Sequence, residues 1–572
     1  MMNRREFIQL LATAAASGAV LNSRSALAGE ATGFYDLPAF GNVSLMHMTD
    51  CHAQLLPIYF REPNINIGVG AAKGQPPHLV GEHFLRYYGL RPGTKEAYAL
   101  TCLDFRAAAQ RYGKVGGFAH LKTLVDQVRA SRPGSLLLDG GDTWQGSATA
   151  LWSKAQDMVD ASKLLGVDVM TAHWEFTYGA DRVTEIINKD LTGHIDFIAQ
   201  NVTTKDFGDP VFKPWVIKSI NGVQVAIIGQ AFPYVPISHP RYLVPDWQFG
   251  IQEEGLQTHV NTVRAKGAQI VVLLSHNGMD VDLKLASRVT GIDVIFGGHT
   301  HDGVPRPVPV KNASGTTLVT NAGSNGKFLG VMDFDVRNGK LQDWRYRLMP
   351  VFSNLLPADP NMTSWINTMR VPFSSQLSQP LAGTESLLYR RDNFIGSFDQ
   401  VIMDALMKVK NAEISFSPGF RWGTSLLPGD TITMEHLMDQ TAITYPTTTL
   451  IEMRGDTIKS IMEDVCDNLF NPDPYLQQGG DMIRVGGMHY SINPNAPSGQ
   501  RISDMTLHGK PISPTKIYKV AGWAPMAEGA TGAPIWDVVS EYLLDVKTVN
   551  LRHINEPKLL GVGNNPGLEI HC

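Results

Sequence analysis

The sequence predicts two α/β domains, and three features of the 572-residue chain lead to this expectation. From about residue 42, a short apolar run, a loop and a helical pattern recur, as is typical of a layered α/β domain. This alternation lapses over residues 351–380, which look like a linker with one helix. A second α/β pattern then continues to the end. We therefore expect a first domain over residues 42–350 and a second over residues 381–572.

The strands predicted for the first domain are buried apolar runs whose carboxyl ends break into glycine or polar residues. These runs are VSLMHMTD, SLLLDGGD, IVVLLSHNG and DVIFGGHTH. Helical periodicity lies between them, for example in GFAHLKTLVDQVRA and DRVTEIINKD. Ligands of such sheets gather beyond the carboxyl ends of the strands, so the polar residues at these ends are the candidates for function.

The second domain is predicted to contain the helices SFDQVIMDALMKV and GDTIKSIMEDVCDNLF and the strands AEISFS and IYKVAGW. A long insertion rich in Gly and Pro, residues 60–115, interrupts the first domain and contains His78, His83 and Cys102. Loops of this length are usually functional or mobile. For each of these histidines, we expect a satisfied structural role and not a ligand role.

Residues 1–28 are expected to be a twin-arginine signal peptide, which would direct the protein to the periplasm. Paired Arg4 and Arg5 precede an apolar run that ends in ALA before Gly29. The alternative is a membrane anchor, but Ser, Gly and Asn interrupt the run. No other stretch is apolar enough to span a bilayer, so no membrane association is expected after cleavage.

Composition excludes some classes of function. The net charge of −5 argues against a nucleic-acid partner, which usually requires a basic surface. Four cysteines are too few for a disulfide scaffold, although one pair could form in an oxidising compartment. We expect Cys572, at the terminus, to be free. Cys51 is either a buried spacer, which we favour, or a redox-sensitive thiol.

Two carboxylates and five imidazoles follow the predicted strands. They are Asp50, His52, Asp142, His173, His276, His299 and His301. A single histidine is usually structural, but seven such residues at five successive strand ends predict a metal site. Imidazole and carboxylate suit Mn, Zn or Fe. Two ions about 3.5–4 Å apart can share one bridging carboxylate, for which Asp142 in its Gly-rich turn is the natural candidate.

The order of these motifs resembles the calcineurin-like metallophosphoesterases, and in particular the 5′-nucleotidase family, from about residue 42 to the end. The resemblance implies a four-layer α/β/β/α metallophosphoesterase domain followed by an α/β substrate-binding domain. It also implies two sets of metal ligands. One set is Asp50, His52, Asp142 and His301, and the other is Asp142, His173, His276 and His299.

The stretch TAHWEFTYG departs from the nucleotidase pattern. His173 stands where the family usually has Asn, and imidazole can also bind a metal. Trp174 stands at the position of the catalytic His, and Thr177 at that of its supporting Asp. An indole N–H can donate a hydrogen bond but cannot deliver a proton. The His–Asp pair that helps an alkoxide leave is therefore missing.

The stretch SFSPGFRWG resembles the nucleotidase substrate loop, in which an Arg grips the phosphate, and Arg421 falls on that position. An Arg fork suits a tetrahedral oxyanion. The two Phe that clamp a nucleobase are not found. Asp481 and Met482 occupy one region, and the other contains no Phe, with Trp523 as a candidate substitute.

These departures match one branch of the family, the SoxB-type thiosulfohydrolases of bacterial sulfur oxidation. The stretches DCHAQLLPIYFREP, GGDTWQGS, HWEFTYG and GGHTHDGVP resemble that branch, as does the insertion. The resemblance implies a monomer that holds two Mn²⁺ ions, with Zn²⁺ or Fe as alternatives. Its substrate would be a cysteine S-thiosulfonate on the SoxYZ carrier protein, and its product sulfate. Trp174 would either wall a narrow channel or simply pack in the core.

Two other functions remain open on the sequence. A nucleotidase or broad phosphoesterase would require base-stacking aromatic residues and the catalytic His, which the sequence pattern does not show. A non-catalytic binding protein could use its metals structurally, but all seven ligand positions hold competent residues. Structural sites are also usually closed to water and substrate.

Overall fold

The computed structural model describes residues 33–572, so the signal peptide expected at residues 1–28 lies outside the described residues. The strands, numbered along the chain, are β1 (Val43–Met48), β2 (Leu136–Asp139), β3 (Val169–Met170), β4 (Asp196–Phe197), β5 (Val202–Thr204), β6 (Trp215–Ile220), β7 (Val223–Gln230), β8 (Trp247–Phe249), β9 (Ile270–Ser275), β10 (Val294–Gly297), β11 (Val308–Asn312), β12 (Gly315–Asn321), β13 (Phe328–Arg337), β14 (Lys340–Pro350), β15 (Pro380–Thr384), β16 (Ile414–Ser417), β17 (Thr431–Thr433), β18 (Thr448–Arg454), β19 (Arg484–Gly486), β20 (Met488–Ile492), β21 (Ile502–Leu507), β22 (Lys510–Pro511), β23 (Ile517–Trp523), β24 (Thr548–Val549) and β25 (Lys558–Leu559).

The α-helices alternate with these strands. They are α1 (Gly81–Tyr88), α2 (Lys95–Leu100), α3 (Phe105–Tyr112), α4 (Phe118–Ser131), α5 (Ala148–Ser153), α6 (Gln156–Leu165), α7 (Ala180–Ile186), α8 (Val235–Ser238), α9 (Glu253–Ala265), α10 (Met279–Arg288), α11 (Pro360–Arg370), α12 (Ser374–Leu377), α13 (Ser397–Lys410), α14 (Met434–Thr441), α15 (Gly455–Phe470) and α16 (Ile535–Val546). No helix of the described residues is long and apolar enough to cross a membrane.

Two six-stranded sheets form the centre of the first domain, in the orders β14-β13-β1-β2-β3-β4 and β11-β12-β10-β9-β7-β6. Successive side chains of a strand point to opposite faces, and β1 shows the consequence. Val43 and Leu45 pack in the core between the sheets. Met46 and Met48 pack in a separate core outside them, together with Leu121 of α4. The second sheet likewise has helices on its outer face. This gives the four layers α/β/β/α that the resemblance implied.

The parallel strands bring the polar strand ends to one edge. β1, β2 and β3 are parallel in the first sheet. β7, β9 and β10 are parallel in the second. The ligand candidates follow β1, β2, β3, β9 and β10, and therefore lie at the carboxyl edge of both sheets.

The second domain is built on a four-stranded sheet in the order β18-β23-β16-β19. The helices and strands that the sequence predicts here are confirmed as α13, α15, β16 and β23. Between the domains, residues 351–380 hold the expected helix as α11, followed by the short α12. The loop after β16 faces the carboxyl edge of the first domain, which positions the substrate cavity described below.

The C-terminal tail crosses back from the second domain onto the insertion of the first. Leu568 pairs with Ile65, and the Asn565 amide donates to the carbonyl of Gly68 at 3.1 Å. This path ends in a disulfide between Cys102 and Cys572, so the expectation that Cys572 is free is wrong. The two cysteines are 470 residues apart in sequence, and only the returning tail brings them together.

Three further residues singled out in the sequence lie outside the candidate ligand groups: His78 and His83 of the insertion, and Cys51 before it. His78 Nε2 lies 2.9 Å from Oδ2 of Asp280 at the start of α10, so this histidine is satisfied as expected. His83 belongs to α1 and is in neither group of candidate ligands. Cys51 is buried, as expected, and free, and its role as a spacer stays a prediction.

Candidate metal centre and substrate cavity

The structure brings all seven ligand candidates together in two groups that share Asp142. One group is Asp142, His173, His276 and His299, and the other is Asp50, His52, Asp142 and His301. Within each group the candidate ligand atoms lie within 4.8 Å of one another. Asp142 is 1% exposed, so its charge must be balanced inside the protein. The donor set of carboxylates and imidazoles at this spacing fits two divalent ions that share one carboxylate.

The backbone at these ligands is unusual. Five of the seven ligand residues have a positive φ: Asp50, His52, Asp142, His299 and His301. Non-glycine residues seldom adopt this conformation, which costs on the order of 1–3 kcal/mol each and clusters at functional sites. The strands end in these turns, and each turn directs the side chains of its ligand residues toward the same point.

One glycine allows two of the turns to approach each other. A Cβ built on Gly298 would lie 2.5 Å from Oγ1 of Thr49 and 2.9 Å from Nδ1 of His276. Only glycine therefore fits between the β1 and β10 loops. The backbone N–H of the next residue, His299, donates to Oδ1 of Asp50 at 3.0 Å and so joins the two ligand groups.

Glu175 organises the ligand loops, although the sequence reasoning did not single it out. Its carboxylate accepts backbone N–H bonds from Asp142 at 3.1 Å, Thr143 at 2.8 Å, Trp144 at 3.3 Å and His173 at 2.8 Å. It is fully buried. A carboxylate that accepts several N–H groups acts as a fixed anchor for the loops that carry them. The pattern HWEF placed it two residues after a ligand, which was the available signal.

Backbone carbonyls orient two of the imidazoles. His276 Nδ1 lies 2.6 Å from the carbonyl of Gly140, and His52 Nδ1 lies 3.2 Å from that of Gln145. A carbonyl can only accept, so each Nδ1 carries a proton and each Nε2 is the nitrogen that faces the site. His52 Nε2 faces His301 Nε2 at 3.0 Å, as two ligands of one cation would.

The electrostatics favour a cation. Burial lowers the pKa of His173 to about 4 and lowers those of His299 and His301 well below 6.5, which keeps these imidazoles neutral and able to bind a metal. Burial also opposes a charge on His276, but Asp142 and Asp50 more than offset this and raise the pKa of His276 to about 10. The two carboxylates thus hold positive charge at this point of the protein.

Arg421 lies beside the ligand group that contains His299 and is fixed by Asp481. Its Nη1 donates to the carbonyl of His299 at 3.3 Å, and its Nε lies 3.4 Å from Oδ1 of Asp481. Burial opposes ionisation of Asp481, but Arg421 and Arg391 more than offset it and lower its pKa. Asp481, which stands where a nucleobase clamp was sought, therefore holds the arginine in place.

A cavity of about 620 Å³ connects the two ligand groups with the second domain. It is lined at one end by ligands of both groups and by Arg421, and at the other by the residues of β16, β18 and β23. Trp174 forms part of its wall and is 5% exposed. Its ring lies edge-on to Trp422, with the centroids 4.9 Å apart. Trp174 thus both packs in the core of the second domain and borders the cavity.

Comparisons with known proteins agree with this architecture. A model of the 5′-nucleotidase C-terminal domain matches residues 384–540. The 5′-nucleotidase of Bos taurus is 25% identical over 474 residues, which cover 73% of this chain and 78% of that protein. Among solved structures, the sulfate thiohydrolase SoxB of Thermus thermophilus superposes with a TM-score of 0.87 at 37% identity, over 92% of this chain and 98% of that chain. The chain belongs to the SoxB sulfate thiohydrolase family.

The SoxB family lies within the wider 5′-nucleotidase fold. A 5′-nucleotidase precursor of Thermus thermophilus superposes with a TM-score of 0.71 at 20% identity, over 91% of this chain and 99% of that chain, and shows the shared fold. Both kinds of relative are hydrolases, so this chain is a hydrolase as predicted.

Within the SoxB-family chain, Thr177 makes a contact between the domains. Oγ1 of Thr177 lies 2.6 Å from Oγ1 of Thr444. The Thr444 hydroxyl also lies 3.0 Å from the backbone carbonyl oxygen of Thr177. The position aligned with the supporting Asp of the nucleotidases is therefore used here to join the first domain to the second.

The sequence reasoning also missed part of the aromatic lining. Phe420 and Trp422 flank Arg421 in the sequence and stack with their centroids 4.1 Å apart, and both border the cavity. Trp523, the candidate substitute for a clamp residue, lines it too, and its Nε1 donates to Oγ of Ser417 at 2.8 Å. The cavity therefore presents aromatic surface, supplied by Phe420, Trp422 and Trp523.

Proposed function

We propose that the protein is a thiosulfohydrolase, which removes the terminal sulfonate from a cysteine S-thiosulfonate on a sulfur-carrier protein of the SoxYZ type. Family membership supports the class of reaction, because the similar solved structure is a sulfate thiohydrolase. The observation that carries the substrate assignment is Trp174, which borders the cavity directly beside Asp142 at the position of the phosphoesterase acid.

The reaction balances without an oxidant or reductant: R–S–S–SO₃⁻ + H₂O → R–S–S⁻ + SO₄²⁻ + 2 H⁺. The oxygen of water forms a bond to the sulfonate sulfur, and the S–S bond to the sulfane breaks. The electron pair of that bond leaves with the sulfane sulfur, and both protons of the water pass to solvent.

The leaving group explains why a tryptophan can stand beside the shared carboxylate. An alkoxide is strongly basic and requires a proton donor as it leaves. A persulfide anion is weakly basic and polarizable, so it leaves without an acid. The Trp174 indole cannot transfer a proton, but it can pack against sulfur, since thioether–aromatic contacts are favourable. Its edge-on contact with Trp422 makes a rigid aromatic wall there.

Arg421 would bind the sulfonate oxygens. Its guanidinium lies between the carbonyl of His299 and the carboxylate of Asp481, and it borders the cavity. An arginine fork matches the geometry of a tetrahedral oxyanion and stabilises charge that develops on its oxygens. Asp481 holds Nε and the His299 carbonyl holds Nη1, so three of the five N–H donors of the guanidinium remain for the substrate.

The seven ligand residues would hold two divalent ions, for which we propose Mn²⁺, with Zn²⁺ or Fe as alternatives on the same donor set. Bound there, such ions lower the pKa of water and polarise the oxygens of the substrate. The backbone anchor Glu175 and the carbonyls of Gly140 and Gln145 would keep the ligands in place while the substrate exchanges.

The carrier would deliver its cysteine on an extended arm, and the protein would work as a periplasmic monomer. The twin arginine and ALA of residues 1–28 support export through the twin-arginine route. The aromatic cavity reaches both ligand groups and Arg421, so an arm that enters it can bring its cysteine to the metal centre.

One observation favours a nucleotidase as the second candidate. Phe420 and Trp523 both line the cavity, with their ring centroids 5.5 Å apart, and aromatic faces can stack on a base. The cattle 5′-nucleotidase is also similar over 73% of this chain.

Sulfate release distinguishes the two candidates. The metal-loaded mature protein is offered carrier-bound S-thiosulfonate, AMP and a generic phosphate ester, and sulfate and phosphate are measured. We expect sulfate from the carrier and little phosphate from either ester. Fast hydrolysis of AMP with an inert carrier would contradict the proposal and favour the nucleotidase. The His52→Ala variant should be inactive on all three substrates, which excludes a contaminating hydrolase.

A further inference from the structure

His173 is oriented differently from His276 and His52. Its Nδ1 faces the shared carboxylate, 3.2 Å from Oδ2 of Asp142. Its Nε2 points the other way and lies 3.2 Å from Oγ of Ser238, not from a backbone carbonyl. His173 therefore differs from those two ligands, because a hydroxyl and not a backbone carbonyl contacts its outer nitrogen.

The contact continues beyond the hydroxyl. Oγ of Ser238 lies 2.8 Å from Nδ1 of His239, and both residues come from the end of α8, 65 positions beyond His173. His239 is fully buried and packs against Trp174, with ring centroids 4.4 Å apart. Ser238 and His239 lie outside both groups of candidate ligands.

One arrangement of protons in these three side chains suits a cation and extends the hydrogen bonds to His239. A cation at Asp142 requires a lone pair on Nδ1 of His173, which places the proton on Nε2. That N–H then donates to Oγ of Ser238, and the Ser238 hydroxyl donates to Nδ1 of His239. The Ser238 hydroxyl thus accepts one hydrogen bond and donates one, and Nε2 of His239 is buried with no hydrogen-bond partner among the described residues. The carbonyl of Val235, 3.3 Å from Oγ of Ser238, is a longer alternative acceptor for the hydroxyl.

We propose that Ser238 and His239 are positioning residues. They make His173 a competent ligand of the ion that it would share with Asp142, His276 and His299. An imidazole needs its outer nitrogen held in order to fix its ring and its tautomer, and such partners of ligands affect metal affinity strongly. An asparagine ligand has no atom that reaches as far as Nε2. We call the hydrogen-bonded chain from His173 through Ser238 to His239 the relay, and only an imidazole at position 173 can use it. This inference rests on the dinuclear centre of the proposed function and adds two residues to it.

The position of Ser238 is set independently of its hydroxyl. Its carbonyl accepts a hydrogen bond of 2.8 Å from the Tyr445 phenol of the second domain. The Ser238→Ala variant keeps this backbone contact and loses only the relay, so the fold should be retained. The Ser238→Thr variant keeps a hydroxyl and is the matched control.

Metal content tests the inference without any substrate. Purified wild-type protein and the variants are stripped, dialysed against graded Mn²⁺ and measured by elemental analysis, with electron paramagnetic resonance to separate coupled pairs from single ions. For Ser238→Ala we expect about 10–100-fold weaker binding of the ion held by His173 and an unchanged affinity for the other ion. The spectrum at low Mn²⁺ should then be that of a single ion. Ser238→Thr should restore the coupled spectrum, and melting of the stripped proteins should be unchanged.

A double-mutant cycle makes the test specific to the imidazole. In the His173→Asn background, Ser238→Ala should change the affinity for the ion at residue 173 by less than about 3-fold, because the relay has lost its first member. The inference is overturned if Ser238→Ala binds both ions like the wild type, if its loss is equal in both backgrounds, or if wild-type protein binds fewer than two ions. A failure to release sulfate from the carrier would instead overturn the proposed function, and the metal titration would still decide the relay.

Discussion

The backbone N–H of Trp174 donates a hydrogen bond of 2.7 Å to Oδ1 of Asp142, the carboxylate shared by both ligand groups. The bond uses the main chain, so it does not depend on the indole. The residue at position 174 can therefore change while the carboxylate keeps its partner. A change of side chain at position 174 can therefore alter the substrate specificity without disturbing the hydrogen bond that holds the Asp142 carboxylate.

Trp174→His should increase the hydrolysis of phosphate esters. The imidazole would restore a proton donor where an alkoxide leaves, and general acids of this kind contribute about 10²–10⁴-fold. Because the supporting Asp is also missing, we expect a gain of at least about 10-fold for the single variant and more with Thr177→Asp. The measurement is phosphate release from AMP and from a generic ester. Trp174→Phe, which adds no donor, is the control, and equal rates for the two variants would refute the argument.

Arg421→Lys should slow sulfate release from the carrier by about 10²–10³-fold, because an ammonium cannot reproduce the fork that stabilises the developing charge. Asp481→Asn should produce a smaller loss of the same kind, since it releases the Nε edge of Arg421. The kcat and KM for the carrier are measured with both ions bound. Arg552→Lys, an exposed residue of the second domain, is the control. Unchanged kinetics in Arg421→Lys would remove this residue from the site.

The candidate site was largely predictable because it follows a rule of α/β folds. Asp50, Asp142 and His276 were found from apolar runs that end in polar residues, and parallel strands bring such ends to one edge. The pattern of buried strands also predicted a layered α/β domain, since a strand covered on both faces is recognisable as a continuous apolar run, whereas the four layers were implied by the resemblance.

What the sequence did not reveal are contacts between distant segments. Ser238 and His239 lie at the end of α8 in a stretch with no motif, and only the fold brings them to His173. The pairing of Cys102 with Cys572 depends on the path of the tail and not on local pattern. The positive φ at Asp50 is likewise imposed by the surrounding loops, because local preference disfavours it.

The stabilisation by His78 should depend on pH. Burial opposes its charge, but Asp280 more than offsets this, so the folded-state pKa of His78 lies above the ordinary 6.5. A raised pKa means that the contribution is fully present below pH 6.5 and is lost as the pH rises through the folded value. His78→Gln should lower the free energy of unfolding by about 1.5–3 kcal/mol in mild acid and by less at alkaline pH. Urea unfolding across that range measures the difference, and Asp280→Asn should show the same trend. A constant difference at every pH would contradict the assignment.

The disulfide should hold the C-terminal tail on the insertion. In Cys102→Ser the tail keeps its backbone bonds, among them Asn66 N–H to the Gly567 carbonyl and Glu569 N–H to the Asn64 carbonyl, both 2.8 Å. It loses the covalent closure of a loop that spans both domains, and closures of this kind typically contribute about 2–4 kcal/mol. Hydrogen exchange at these two amides should therefore accelerate strongly, because local opening becomes easier, while amides of the central strand β9 should be unaffected. Wild-type protein treated with a reductant should behave like the variant. If the exchange rates do not change in either case, the backbone pairing alone secures the tail and the disulfide adds nothing to it.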